Sequence, residues 1–309
     1  MIYTVTLNPA LDYVIQVDHF QPGRINRNRK ENIFFGGKGI NVSCILNELG
    51  VKSTALGFIA GFTGRSLRDG LKNMGITADF TEVKEGMTRI NVKMKSDEET
   101  EINGMGPLIT ESDFAKMKEK IRTLRKQDIL ILSGSIPSCM DSDAYERIIE
   151  CLQEPACLIV DAEKNLLLPI LKYRPFLIKP NTIELEEISG KKLNTTEEIV
   201  LQARRLQAMG ARNVLVSRAK EGAVLIEESG RVIFQDAAHG TVVNSVGAGD
   251  SMVAGFLAGW IQTGDSAYAL KLGTACGGAT AFHTGLAERN EIEEVLASLK
   301  EYEVQKKRG

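Results

Sequence analysis

The chain has 309 residues, of which 43% are apolar and 25% are charged. This length suffices for one large α/β domain with an appendage, or for two domains. Lysine and arginine number 38 against 40 aspartate and glutamate residues, which gives a net charge of -2. That balance argues against a protein that binds nucleic acid or a membrane surface through overall basicity.

Cysteine and histidine usage also excludes some classes of site. The five cysteines form no CxxC pair and the three histidines lie far apart, which argues against a zinc site or a disulfide framework. The first residues lack the basic region and long apolar core of a signal peptide, and no apolar run is long enough to span a bilayer. We therefore expect free thiols and a cytoplasmic protein.

Short apolar strands alternate with amphipathic helices along most of the chain. Strands are expected at residues 3–7, 53–59, 129–132, 157–160, 176–178 and 214–216. Helices are expected at residues 40–49, 66–74, 114–124, 145–152, 197–209, 248–261, 266–282 and 292–300. This alternation predicts a three-layer α/β/α sandwich with a mainly parallel, doubly wound sheet.

Two segments depart from this alternation. Residues 14–35 have an extended pattern, and residues 89–103 alternate strictly, as in a hairpin that turns at 96–99. Strand insertions near 12–36 and 87–106 can pair into a small β-sheet over the crevice at the carboxyl ends of the main strands. We expect this sheet to act as a lid on a single domain, residues 1–309, or to mediate dimerisation, and the two roles are compatible.

The most informative motif is the run Asn-Ser-Val-Gly-Ala-Gly-Asp-Ser at residues 244–251, which leads directly into an apolar helix. The two glycines allow the backbone to approach an anion closely, and the helix N-terminus favours negative charge. A carboxylate at this position, Asp250, is suited to proton transfer or to positioning a hydroxyl beside a phosphoryl group. The alternative is a glycine turn followed by an Asp helix cap.

Two further motifs offer groups that bind hydroxyls and anions. Residues 36–42 read Gly-Gly-Lys-Gly-Ile-Asn-Val and lack the spacing of a Walker A loop, yet Lys38, Asn41 and the backbone N–H groups can hold a hydroxylated anion. Asp12 follows an Asn-Pro pair just after the first strand, where doubly wound sheets bind ligands. A simple turn that ends the strand is the alternative.

Three other segments give less specific signals. Asn181 and Glu184 follow a strand and would share one face of a starting helix, where they suit Mg²⁺ held partly through water or serve as a helix N-terminal cap. Residues 217–222 form a possible turn for nucleotide phosphates. The densest basic run, at residues 24–30, is either a solvated segment or a site for a small anion.

Taken together, these motifs resemble the ribokinase-like sugar kinases, also called the PfkB family, over nearly the whole chain. Within that family the chain most resembles the enzymes that act on fructose 1-phosphate. The resemblance rests, in order, on residues 6–12, 36–43, 88–93, 100–104, 133–137, 179–181 and 246–251. Agreement at seven ordered motifs is far more specific than agreement at any one of them.

The resemblance implies a kinase that transfers the γ-phosphoryl group of ATP, with Mg²⁺, to the 6-hydroxyl of fructose 1-phosphate. Asp250 would be the base, in an anion hole that includes Gly247, Ala248 and Gly249. The residues implied to bind the sugar phosphate are Asp12, Arg27, Gly36, Gly37, Lys38, Asn41, Arg89 and Ser135. Those implied to bind the nucleotide are Lys179, Asn181, Ser217, Arg218, Ala219, Lys220, Glu221, Gly222, Ser245, Val246 and Gly249. Glu184 would serve Mg²⁺ through water.

One departure and two alternatives accompany this interpretation. Related chains have glycine where this chain has Ala219, and a positive φ there would strain alanine by roughly 1 kcal/mol. A tagatose-6-phosphate kinase shares the same chemistry, whereas a sugar-phosphate sensor would bind its ligand without turnover. An exposed apolar face on the lid would favour a homodimer through the lids.

Overall fold

Fifteen strands and ten α-helices are assigned in the computed structural model, which describes residues 1–154 and 156–304. The strands are β1 (Ile2–Thr6), β2 (Ala10–Gln16), β3 (Lys30–Gly36), β4 (Thr54–Ala60), β5 (Thr77–Ala78), β6 (Thr81–Val83), β7 (Arg89–Lys95), β8 (Thr100–Asn103), β9 (Ile129–Ser133), β10 (Cys157–Asp161), β11 (Leu177–Ile178), β12 (Asn213–Ser217), β13 (Ala223–Ile226), β14 (Val232–Gln235) and β15 (Glu303–Val304). The helices are α1 (Lys38–Glu48), α2 (Gly61–Asn73), α3 (Glu111–Arg122), α4 (Ala144–Ile149), α5 (Lys164–Ile170), α6 (Thr182–Ser189), α7 (Thr196–Ala208), α8 (Ala248–Thr263), α9 (Ser266–Ala281) and α10 (Arg289–Ser298).

The main sheet has the order β15-β14-β13-β12-β11-β10-β9-β1-β4-β5, with β6 paired to β4. Pairing is parallel from β5 to β12 and antiparallel from β12 to β15. Because successive residues of a strand point to opposite faces, the buried apolar runs of the central strands supply two cores. Leu130 and Leu132 pack with α3 to α7 on one face, whereas Ile131 packs with α1 and α8 to α10 on the other.

The second sheet, called the small sheet below, has the order β3-β2-β7-β8. Strand β2 pairs antiparallel with β3 and parallel with β7, and β7 forms an antiparallel hairpin with β8. One row across this sheet contains Asp12 and Asn91, and the adjacent row, on the opposite face, contains Tyr13 and Val92. The polar row faces the carboxyl ends of the main strands.

These observations confirm the predicted three-layer sandwich, its mainly parallel sheet and the additional small sheet. The continuous extended segment expected at residues 14–35 is wrong between 17 and 29, where the chain forms turns and loop. The pattern did not predict the antiparallel pair β13 and β14 or the short helix α5, whereas the helix start expected at Asn181 and Glu184 corresponds to α6. Helix α5 carries an internal proline, Pro169, which weakens the helical signal. Among the described residues, no helix is long and apolar enough to cross a membrane.

Candidate active site

A cavity of about 430 Å³ opens at the carboxyl ends of β1, β9, β10, β11 and β12, beneath the polar face of the small sheet. Doubly wound sheets bind their ligands at this edge. The sequence-predicted residues that the structure brings together here are Asp12, Gly37, Lys38, Asn41, Arg89, Ser135, Lys179, Asn181, Glu184, Ser217, Val246, Gly247, Gly249 and Asp250.

Asp250 lies in the first turn of α8, lines the cavity and is only 5% exposed. Helix α8 starts after Gly247, whose φ of 81° lies in the left-handed region that favours glycine. Asn41, in the first turn of α1, donates from Nδ2 to Asp250 Oδ2 over 2.8 Å. Helix α1 therefore orients the carboxylate, which lies at the N-terminus of α8, where negative charge is favoured.

Burial raises the pKa of Asp250 to about 7, and the negative charge of Asp161 adds to the shift. The positive charge of Lys38 and the hydrogen bond from Asn41 act in the opposite direction but are outweighed. Burial beside a second acid is not visible in the sequence motif around Asp250. With a pKa near neutrality, the group is suited to accepting a proton during turnover.

Asp161, at the end of β10, is 1% exposed and also lines the cavity. Its Oδ1 lies 3.4 Å from Lys179 Nζ and 3.6 Å from Lys38 Nζ. Although burial opposes ionisation, these two ammonium groups hold the pKa of Asp161 below its usual value. The same carboxylate raises the pKa of Lys38, so this cluster presents two fixed cations beside Asp250.

The loop before α8 and the buried lysine form a site suited to an anion. A Cβ on Gly249 would come within 3.1 Å of Lys179 Nζ, and one on Gly247 would meet Leu286 Cδ2 at 2.7 Å. Gly247 needs glycine because of its left-handed φ of 81°, and Gly249 brings the backbone close to the Lys179 ammonium group. The N-terminus of α8 and the Lys179 ammonium group converge on this part of the cavity, where they can stabilise a phosphoryl group.

The opposite wall of the cavity comes from the small sheet. Asp12, Asn91 and Lys93 line it from β2 and β7, and Arg89 joins them at the start of β7. Arg89 Nε donates to the backbone oxygen of Asn8 over 3.1 Å, which anchors the guanidinium group. This wall combines two cations with hydrogen-bonding groups, a composition that suits a phosphorylated sugar.

Asn181 and Glu184 form the N-terminal cap of α6. Asn181 Oδ1 accepts from the Glu184 backbone N–H, and Glu184 Oε2 accepts from the Asn181 backbone N–H, both over 2.8 Å. This reciprocal arrangement is a capping box, the simpler of the two interpretations that the sequence allowed. Both residues also line the cavity. Among the described residues, no group of three or more acidic, histidine or cysteine side chains is arranged to hold a metal ion.

Several predicted site residues do not line this cavity, for different physical reasons. Arg27 lies on the exposed loop between β2 and β3, and Ser245 is exposed ahead of Val246. Gly36 lies behind Asp12, where a Cβ would come within 2.2 Å of Asp12 Oδ2. The remaining residues that the cavity does not contact are Ala248, Arg218, Ala219, Lys220, Glu221 and Gly222.

The turn after β12 contains the strain that the sequence raised as a possibility. Ala219 has a φ of 48°, and Gly222 has a φ of 83° with no room for a side chain, because a Cβ would lie 2.0 Å from the Gln235 backbone oxygen. Glycine is thus required at position 222, whereas the alanine at position 219 adopts its left-handed conformation at an energetic cost.

Sequence reasoning assigned no role to seven residues that line the cavity. They are Thr6, Asn8, Asn91, Lys93, Gly134, Asp161 and Glu163. Most lie within or beside the quoted motifs, and their positions at strand ends were the available signal. Asp161 gave the weakest signal, because a single acid after an apolar strand is common.

Comparison with known proteins identifies the family. The model of the pfkB family of carbohydrate kinases matches residues 5–293. The chain belongs to this family. It is therefore a carbohydrate kinase, an ATP-dependent phosphotransferase. It is 44% identical to 1-phosphofructokinase from Bacillus subtilis (strain 168), over 97% of this chain and 99% of that one.

Two further pfkB relatives are informative about substrate and fold. D-tagatose-1-phosphate kinase from Bacillus licheniformis is 39% identical, over 97% of this chain and 98% of that one. The crystal structure of phosphofructokinase-2 from Escherichia coli, in complex with substrates and products, superposes with a TM-score of 0.90 at 26% identity. That match covers 96% of this chain and 99% of the other.

Proposed function

We propose that this kinase transfers the γ-phosphoryl group of MgATP to the 6-hydroxyl of fructose 1-phosphate and forms fructose 1,6-bisphosphate. The observation that carries the proposal is the placement of Asp250. It is buried in the cavity, oriented by Asn41 and adjacent to the N-terminus of α8. Similarity to 1-phosphofructokinase at 44% identity supports the choice of substrate.

In the proposed reaction, the 6-hydroxyl oxygen attacks the γ-phosphorus as the bond to the ADP oxygen breaks. Asp250 accepts the proton of the hydroxyl group, so the oxygen of the new phosphate ester is not left protonated. The backbone N–H groups near Gly247 and Gly249, together with Lys179, would stabilise charge on the transferred group. Lys38 contacts the same oxygen of Asp161 as Lys179 does and would reinforce this positive field.

The wall formed by the small sheet would hold the sugar phosphate. Asp12 and Asn41 would accept and donate hydrogen bonds to sugar hydroxyls. Arg89, Lys93 and Ser135 would bind the phosphate on carbon 1, because a guanidinium group and an ammonium group both suit phosphate oxygens. Lys93 takes the place that the sequence analysis gave to Arg27, which lies on an exposed loop.

The donor groups in the cavity fit a nucleotide and its magnesium ion. Magnesium binds few protein carboxylates, keeps several waters and is shared with nucleotide phosphates. Glu184 would hold the ion through water, and Lys179, Asn181, Ser217 and Val246 would contact the nucleotide. When bound, the ion supplies positive charge to the phosphate oxygens.

We further propose that the chain forms one domain, with the small sheet as a lid, and that it dimerises through the apolar face of that sheet. Ile33, Tyr13, Val92 and Ile102 form one row across the four strands. Ile33 is 60% exposed and Ile102 is 64% exposed. Burial of this row against a second copy would remove it from water.

We also propose that the protein acts in the cytoplasm, because the free cysteines of the chain suit a reducing compartment.

D-Tagatose 1-phosphate is the second candidate substrate, because a relative named for that activity is 39% identical. It is also a ketose 1-phosphate, so the same cations would bind its phosphate. The alternative substrate from the sequence analysis, tagatose 6-phosphate, carries its phosphate on carbon 6, at the opposite end of the sugar.

A coupled assay of ADP release with MgATP would test the proposal. The panel comprises fructose 1-phosphate, D-tagatose 1-phosphate, fructose 6-phosphate, tagatose 6-phosphate, fructose and ribose. We expect the highest kcat/KM with fructose 1-phosphate, by at least about tenfold over either 6-phosphate, because one mismatched charged group costs at least that much. Preference for a 6-phosphate or an unphosphorylated sugar would overturn the assignment. Ligand binding without ADP release in the presence of any of these sugars would contradict the proposed reaction.

A further inference from the structure

Asp12 and Asn91 lie opposite each other in the parallel pairing of β2 with β7. Asn91 Nδ2 donates to Asp12 Oδ1 over 2.8 Å. Asn91 is 6% exposed, whereas Asp12 is half-buried and faces the cavity. A buried side chain thus holds the carboxylate that faces the cavity.

A second hydrogen bond fixes the orientation of the Asn91 amide. The backbone N–H of Gly104, just after β8, donates to Asn91 Oδ1 over 3.2 Å. Because a backbone N–H can only donate, Oδ1 must face Gly104 and Nδ2 must face Asp12. The far strand of the β7–β8 hairpin is therefore linked, through one side chain, to the carboxylate in the cavity.

Gly36 confines the same carboxylate from another direction. A Cβ at this position would lie 2.2 Å from Asp12 Oδ2 and 2.8 Å from Asp12 Cγ. The carboxylate therefore lies against the backbone of β3 while Asn91 holds Oδ1 from β7. Its oxygens are fixed before a sugar arrives, a form of preorganisation that strengthens binding.

We infer that Asn91 is a positioning residue for sugar binding and acts through Asp12. The inference rests on the proposed function, in which Asp12 accepts hydrogen bonds from the sugar. Loss of Asn91 would leave the nucleotide site unaffected, because among the described residues its side chain hydrogen-bonds to Asp12 and to the Gly104 backbone only. Loss of Asn91 should therefore weaken sugar-phosphate affinity and spare ATP affinity.

A double-mutant cycle tests this coupling, with fructose 1-phosphate affinity measured by calorimetry on the full chain. Asn91→Ala should raise the Kd about tenfold in the wild-type background, because a hydrogen bond to a charged group is lost. In the Asp12→Ala background, the same change should alter the Kd by less than about twofold. Equal effects in both backgrounds, or no effect in the wild type, would overturn the inference.

Matched variants separate positioning from a general loss of structure. Asn103→Ala removes an exposed asparagine directly opposite Asn91 on β8, and it should leave both the Kd and the KM for ATP within about twofold of wild type. If Asn91→Ala does not fold, Asn91→Asp keeps the shape but sets two carboxylates against each other. It should then weaken sugar binding at least as strongly as alanine would, and unchanged binding would contradict the inference.

The same experiments distinguish this inference from the proposed function. If wild-type protein does not bind fructose 1-phosphate, the proposed substrate is wrong, and the cycle is measured with the ketose phosphate that the assay panel selects. If wild-type protein binds it but the cycle shows no coupling, the proposed function stands and the positioning role is wrong.

Discussion

Asp250 and Asp161 line the same cavity as a pair of almost fully buried carboxylates, 5% and 1% exposed. Two lysines keep Asp161 ionised, whereas Asp250 has no such ammonium partner within salt-bridge distance among the described residues. Burial, and then the charge of Asp161, raise the pKa of Asp250 to about 7. The two acids are thereby separated into a fixed anion and a proton acceptor.

The pH dependence of turnover should reveal this separation. Asp250 accepts a proton only when it is ionised, so kcat/KM for the sugar phosphate should fall as the pH drops below the pKa of about 7. Above that pH the ionised form predominates and the rate should reach a plateau. Steady-state assays across this range would measure the acidic limb. A rate that stays constant well below neutrality would contradict the assignment.

Asp161→Asn should move that acidic limb to lower pH. The substitution removes the negative charge that raises the pKa of Asp250 and leaves Lys38 and Lys179 free to lower it further. The maximal rate should also fall, because the two ammonium groups lose their shared anchor. Asp141→Asn, at an exposed position outside the cavity, should leave the limb unchanged. A shift of the acidic limb to higher pH in Asp161→Asn would contradict this account.

Ala219→Gly should relieve strain in the turn after β12. A left-handed alanine costs about 1–2 kcal/mol, whereas glycine adds about 0.4–1 kcal/mol of conformational entropy to the unfolded chain. The free energy of unfolding should therefore increase by up to about 1.6 kcal/mol, as urea denaturation would measure. Ala115→Gly, on the exposed face of α3, should instead decrease it by about 1 kcal/mol. If Ala219→Gly also decreased the free energy of unfolding by about 1 kcal/mol, Ala219 would not be strained.

Ile33→Glu should prevent the proposed dimer. A charge placed at the β3 end of the apolar row would have to be buried on association, which is unfavourable. Light scattering should then report the mass of a monomer, while the wild type gives that of a dimer. Leu201→Glu, at a 50% exposed position on α7, serves as the control and should remain dimeric. A monomeric wild type would refute the proposal directly.

Local patterns in the sequence predicted much of the site. The glycines and acid around Asp250 are contiguous, and their position before an apolar helix was sufficient to predict an anion site with a carboxylate. Asp12 and Asn41, which also line the cavity, were predicted as site residues for the same reason, because each lies beside a recognisable turn or helix start. The alternating pattern at residues 89–103 also predicted the hairpin of the small sheet.

Long-range relationships could not be predicted in this way. Asp161 matters because Lys38 and Lys179 converge on it, and no local pattern encodes that convergence. Asn91 occupies a polar position of an alternating strand, but only the register of β2 with β7 sets it opposite Asp12. Arg27 belongs to the densest basic run, and the structure leaves it on an exposed loop.

The most direct test of the central claim is the steady-state turnover of Asp250→Asn with MgATP and fructose 1-phosphate. Asparagine keeps the size of the side chain but cannot accept the hydroxyl proton, so kcat should fall by at least about 100-fold while the KM for the sugar phosphate stays within about threefold. Asp69→Asn, exposed on α2, should retain wild-type turnover. Near-normal turnover by Asp250→Asn would contradict the account.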